Sequence, residues 1–255
     1  MKNKEYQFNE KYYEKYLIKN LIGKKRGEKD FLYSYWIRWI KKRYPVGSRV
    51  LDAGCGVGFF LKRLVENHFN AIGCDISESA IKLASEKNKV LVYQCSIEKL
   101  PFESSSFDII FAFDVIEHLK SPELFFKEAR RTLKLGGVLI LSTPNPDSLG
   151  AKIKKKPKLG EQIIYEKRYD IWHGWRDSSH INIRPIQDWH NMIIFAGFDI
   201  IREGTDGLWD VPYLGLIPNK IQKIIFNSIN FIQTYLLGFL KWKVGENYIC
   251  ISRKK

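Results

Sequence analysis

The chain has 255 residues, 45% of them hydrophobic and 27% charged, enough for one α/β core with appended segments and too apolar for a disordered polymer. Its polar start, MKNKEYQFNEKYYEKY, lacks the apolar stretch of a secretory leader, and no run of about 18 uncharged apolar residues is present to span a bilayer, so a cytoplasmic protein, at most peripheral at a membrane, is expected. The formal net charge of +14 is concentrated in two places: residues 1–49 hold 14 Lys/Arg against 5 Asp/Glu, residues 151–168 hold 7 against 2, and the remainder carries 21 of each sign. Two such concentrations point to an anionic partner.

Residues 1–48 read as a helical, basic, aromatic-rich cap ending in FLYSYWIRWIKKRY (31–44). From residue 49 short apolar runs alternate with amphipathic stretches. RVLDA (49–53), NAIGCD (70–75), VLVYQC (90–95), FDIIFAF (107–113) and GVLILST (137–143) are expected strands, with helices near 59–67, 77–87 and 122–133. That rhythm predicts a doubly wound, mostly parallel α/β sheet of about seven strands, Rossmann-like, with helices on both faces. Ser77 reads as the cap of its helix, Pro122 as a first helical residue, and Gly136-Gly137 as the stop of the 122–133 helix.

Residues 144–185, rich in Lys, Pro, Trp and His, break the alternation and are too long for an ordinary loop, as functional or disordered insertions are. Trp172, Trp175 and Trp189 flank His173 and His180 there, either lining a pocket or packing the insertion onto the core. A helix near 186–196, a strand FDIIRE (198–203), a helix over 218–240 and a last strand NYICIS (247–252) complete the chain. The 218–240 helix is amphipathic: Ile221, Ile224, Ile225, Ile229, Ile232, Leu236 and Leu240 share one face, with Lys220, Lys223, Asn227, Asn230 and Gln233 opposite or beside it. Core packing, a dimer interface and contact with lipid are all open to it.

The chemistry centres on VLDAGCGVGFF (50–60), in which a buried strand runs through Asp52 into Gly54, Cys55, Gly56 and Gly58 and then into a helix. Glycines there let the backbone turn sharply and approach a ligand closely. The spacing is not the dinucleotide G-x-G-x-x-G, since Phe59 stands where the third glycine belongs. Asp75 closes the next strand, where a carboxylate can take the hydroxyls of a ribose, with Ile76 beside it. The four cysteines, Cys55, Cys74, Cys95 and Cys250, have no CxxC spacing and read as free thiols. No His/Cys/acid cluster has the spacing of a metal site, so no metal is expected.

VLDAGCGVG, GCDIS, SIEKLPFESSSFDIIFAFDVIEHL (96–119) and LKLGGVLILSTPNP (133–146), in that order, resemble the class I S-adenosylmethionine-dependent methyltransferases, especially the ubiquinone-biosynthesis-like group; DSSHINIRPIQDWHNMIIFAGF (177–198) extends the likeness more weakly. The resemblance implies a methyltransferase domain over 49–255 with a last strand that returns antiparallel, the 144–185 insertion as a lid on the acceptor side, and S-adenosylmethionine as cofactor. Gly54, Cys55 and Gly56 would then line its methionine part, Asp52 orient its ammonium, Asp75 hold its ribose, Ser96-Ile97-Glu98 edge its adenine, and Phe113-Asp114-Val115 close the site. The group usually has Asp where Ser96 stands, so adenine contacts would lean on backbone and Ile97. An oxygen acceptor needs a base, for which His118 and His180 are the catalytic candidates and His173 a third. A small or lipid-linked, anionic acceptor is the reading that the charge favours. An RNA methyltransferase and a non-catalytic cofactor-binding partner subunit are the alternatives; no appended RNA-binding motif and no Asn/Asp-Pro-Pro-aromatic tetrapeptide is present.

Overall fold

The strands are apolar runs because both faces of the sheet are covered, and alternate side chains go to opposite layers. In β1 (Arg49–Ala53) Val50 packs with one layer, while Leu51 and Ala53 pack with the other. In β4 (Phe107–Phe113) Ile109 and Phe111 join the first layer, Ile110 and Ala112 the second. With β2 (Asn70–Asp75), β3 (Val92–Gln94), β5 (Leu133–Pro144), β6 (Phe198–Thr205) and β7 (Asn247–Lys254) they form one seven-stranded sheet in the order β3-β2-β1-β4-β5-β7-β6. β7 runs antiparallel to both β5 and β6, and the other pairs are parallel. The computed structural model describes residues 26–153, 180–209, 213–214 and 216–255.

On one face lie α1 (Arg26–Lys41), α2 (Phe59–Glu66) and α3 (Glu78–Asn88), through Trp36, Ile40, Phe60, Leu64 and Ala84. The opposite face is covered by α4 (Pro122–Thr132) and α6 (Ile186–Phe195), through Phe125, Phe126, Trp189 and Ile193. Ser77 caps α3 by accepting the Ala80 amide at 3.3 Å. A short α5 (Leu149–Ile153) follows β5. Residues 1–25 and 154–179, with Trp172, His173, Trp175 and the lysines at 154–156, lie outside the described residues.

One expectation changes and one open alternative is decided. The helix α4 ends at Thr132, not at Gly136-Gly137. Those glycines lie inside β5, where the β4–β5 pairing shifts register between Phe107 and Ile109. A side chain on Gly137 would press on the carbonyls of Lys134 and Asp108, so the glycine permits close strand approach. Of the two readings open for Trp189, packing holds: it is fully buried in the core.

The last helix, α7 (Asn219–Leu237), faces inward with its polar residues. Gln222, Asn230, Gln233 and Thr234 are buried, whereas Ile224, Ile232 and Leu236 are 68%, 57% and 65% exposed. The reason is its inner partner, which is backbone. Gln222 accepts the amides of Tyr213 and Leu214 and donates to the carbonyls of Leu214 and Ile217. Asn230 pairs with both backbone groups of Leu208. An irregular segment packed against a helix needs such amides to satisfy it.

Trp189→Ala is expected to cost about 3–5 kcal/mol and Ile224→Ala less than about 0.5 kcal/mol, read by urea denaturation. Equal losses would place the apolar face of α7 in the core.

Candidate cofactor and acceptor site

The order of the sheet reverses between β1 and β4, and ligands of open α/β sheets bind at the carboxyl ends of the strands at such a switch point. The loop after β1 stands there. Gly54, Gly56 and Gly58 have φ of 75°, 51° and 79°, the left-handed region. A Cβ on Gly54 would also overlap Val115, the residue that enters from the end of β4. The amides of Gly54 and Cys55 both donate to the Cys74 carbonyl, at 2.8 and 3.0 Å, which pins the loop to the neighbouring strand.

Asp75 is the hinge of this arrangement. Its carboxylate accepts the Gly56 amide at 2.9 Å and the Ser77 amide at 2.9 Å, joining the loop after β1 to the start of α3. It is 8% exposed, while Ile76 beside it is 64% exposed. Asp52 is 4% exposed and lies near the backbone amide of Leu61 in the first turn of α2, a helix whose own N-cap, Gly58, has no side chain to offer.

Burial raises the Asp52 carboxyl, reinforced by the Asp75 charge and opposed by the Leu61 amide; it is pushed up to about 7. Asp75 is also raised, by burial first. Two desolvated acids side by side suit a ligand that brings positive charge. A cofactor with an ammonium, a sulfonium and a ribose diol fits this pair, and Gly54, Cys55 and Gly56 stay partly open between them.

The remaining predicted residues fall around the same edge. Ser96 accepts the Glu98 amide at 3.2 Å in the turn after β3, and Ile97 is buried in the core, so Ile76 is the exposed apolar side chain at this end of β2. Glu98 accepts the Ser121 amide at 2.9 Å and so supports the start of α4. Asp114, at φ 52°, accepts the Ser142 hydroxyl at 2.8 Å. Phe113 turns away to stack among Trp36, Phe60 and Phe111.

Sequence distance hid one feature. The turn Ile116–His118 after β4 carries Glu117 and His118, and residues 180–182 dock on it: the Asn182 amide donates to the Glu117 carbonyl at 2.8 Å, and the Asn182 side chain donates to the Leu119 carbonyl. His180 is thereby set against His118, ring centroids 4.6 Å apart at 70°. A groove of about 880 Å³ between α4 and α6, lined by Phe126, Arg130 and Phe195 among others, shares no residue with this edge.

A family model described as a methyltransferase domain matches residues 51–141. An uncharacterized protein of Methanocaldococcus jannaschii is 34% identical over 201 residues, covering 76% of this chain and 92% of that protein. The ubiquinone biosynthesis O-methyltransferase of Idiomarina loihiensis is 33% identical over 105 residues, 39% of this chain and 43% of that protein, so the chain spans less than half of that relative's length. A SAM-dependent methyltransferase structure from Thermotoga maritima has 22% identity and a TM-score of 0.62, covering 96% of this chain and 97% of that one, a likeness of fold.

The Asp52 shift has a pH consequence. Its folded value, about 7, lies above its ordinary 3.8, so its contribution to stability is present below pH about 4 and is lost as pH rises to about 7. Without cofactor the melting temperature is expected to fall across that window, with less fall in Asp52→Asn and less when S-adenosylhomocysteine supplies its ammonium. Buried Asp206, also raised to about 7 by burial, shares the window, so the difference between parent and variant is the diagnostic quantity. Parallel pH profiles for parent and variant would remove Asp52 from this role.

Proposed function

Because the chain belongs to the class I S-adenosylmethionine-dependent methyltransferases, we propose that it methylates an oxygen of an anionic, lipid-linked acceptor presented at a membrane surface. When bound, the cofactor supplies an electrophilic methyl group, its C–S bond breaking as the bond to the acceptor oxygen forms. Methyl transfer of this kind depends mainly on alignment. Asp75 and the Gly54–Gly56 backbone hold the donor at the carboxyl edge of β1 and β2. Val115 packs on Gly54, so the turn that follows it faces the same cleft, and the acceptor oxygen is placed against His118 and His180.

The observation that carries the lipid reading is the outer face of α7. Ile221, Ile225 and Ile229 are 49%, 46% and 55% exposed there, and Leu216, just before the helix, is fully exposed. The only charged residues of the helix are Lys220 and Lys223. An exposed apolar face with lysines at its N-terminal end suits a helix lying in the interface of an anionic membrane. No helix among the described residues is long and apolar enough to cross a membrane, so contact would be peripheral. The basic concentrations in 1–49 and 151–168 have the sign needed for a phosphate-bearing acceptor.

The test is co-sedimentation with vesicles of phosphatidylcholine, with and without phosphatidylglycerol. The protein is expected to pellet with the anionic vesicles, less so at high salt, and Ile225→Asp with Ile232→Asp is expected to abolish pelleting without unfolding it. No pelleting, or a double variant that pellets like the parent, would contradict the reading. A dimer that the same changes dissociate would assign the face to a second copy.

A further inference from the structure

The groove between α4 and α6 has a volume of about 880 Å³, within the range of small-molecule sites, and cofactor binding makes no use of it. The two helices run side by side in the same direction. At their starts, Asn182 holds the segment before α6 against the turn before α4. At their ends, the Arg130 side chain lies on Gly197, where a Cβ would overlap its Nε atom. A helix rises about 1.5 Å per residue, so the ten residues of α6 make the groove about 15 Å long. Its apolar lining runs from the fully buried Phe126 through the half-buried Met192 to Phe195, which is 89% exposed at the rim.

Charge is distributed unevenly along this groove. Towards the helix starts, Glu123 and Asp188 offset Lys127 and Arg184. At the helix ends stand Arg130 and Lys254, with no acid among the lining residues there. Arg131 is already committed, since it pairs with Glu128 at 2.8 Å and donates to the carbonyls of Leu100 and Phe102. Arg130 has no hydrogen-bond or ion-pair partner among the described residues. Lys254 donates to the Leu133 carbonyl at 2.6 Å and has two further N–H groups to offer. Burial first, and then the Arg130 charge, lower the Lys254 pKa. The fold thus brings two cations together with no anion between them, and a bound anion would relieve their repulsion.

We infer that this groove binds a long-chain carboxylate, its headgroup held by Arg130 and Lys254 and its chain laid along Phe195, Met192 and Phe126. The guanidinium fork and the ammonium supply charge-assisted donors to both carboxylate oxygens. One charge at one end of an apolar strip about 15 Å long matches a ligand with one charged head. An acidic peptide lying in the same groove would set further carboxylates against Glu123 and Asp188. The site is independent of the methyl-transfer reading, because it shares no residue with the cofactor edge.

The experiment is equilibrium dialysis of the full chain against radiolabelled laurate below its micelle concentration, with dodecanol and dodecylammonium as competitors. One laurate per chain is expected, with each competitor at least tenfold weaker. Arg130→Glu and Phe195→Asp should each weaken laurate binding at least tenfold. Both side chains are exposed, so both variants are expected to fold, as circular dichroism would verify. Lys82→Glu, an exposed change on α3 over the opposite face, should leave binding unchanged. No laurate binding, dodecanol binding as tightly as laurate, or Arg130→Glu binding like the parent would overturn the inference. So would laurate binding that survives Arg130→Glu and is lost in Ile225→Asp with Ile232→Asp, which would place the chain on α7. An acidic helical peptide that binds where laurate does not would make the groove a protein-docking surface instead.

Discussion

The structure turns on one carboxylate. Asp75 takes the Gly56 amide with one oxygen and the Ser77 amide with the other, and so clamps the loops that leave β1 and β2 into a common wall. Both amides belong to backbone that no strand or helix satisfies at that point. A buried acid is costly unless it accepts such bonds, and the loops are loose unless something accepts theirs. Each solves the other's problem. The open face between them is where a ribose and a charged amino-acid tail can be received.

The clamp depends in turn on parallel topology. Strands β1 and β2 leave the sheet side by side and in the same direction, so their following loops meet at one edge. The β4 connection joins them there through Val115, which fills the space a side chain on Gly54 would need. Helices packed on both faces cover the sheet while leaving that edge open.

Much of this was legible in the amino-acid sequence, for a physical reason. A parallel strand covered on both faces is a short, nearly unbroken apolar run, and RVLDA, NAIGCD and FDIIFAF have the observed bounds. The glycine loop and Asp75 follow from strand ends. What was hidden depends on partners distant in the chain. Amphipathicity identified α7 but not which side faces in, because its inner partner is the irregular backbone of Leu208, Leu214 and Ile217, which selects Gln222 and Asn230 over isoleucine. Glycine at 136 and 137 read as a helix stop because a strand irregularity leaves the same local signal. Trp189 could be read either as lining a pocket or as packing on the core, because a large aromatic at the centre of α6 suits both until its neighbours are known. The approach of His180 to His118 has no local signature at all, being set by Asn182 on the turn at 116–119.

The central claim is that Asp75 and the loop at 52–58 hold S-adenosylmethionine, and it is tested most directly by calorimetric titration of the parent and Asp75→Ala with S-adenosylhomocysteine, with NAD as control. The parent is expected to bind S-adenosylhomocysteine and not NAD, and the folded variant to bind about 1–3 kcal/mol more weakly, the cost of leaving buried hydrogen-bonding groups unpaired. An unchanged dissociation constant in the variant, or binding of NAD in place of S-adenosylhomocysteine, would contradict the account.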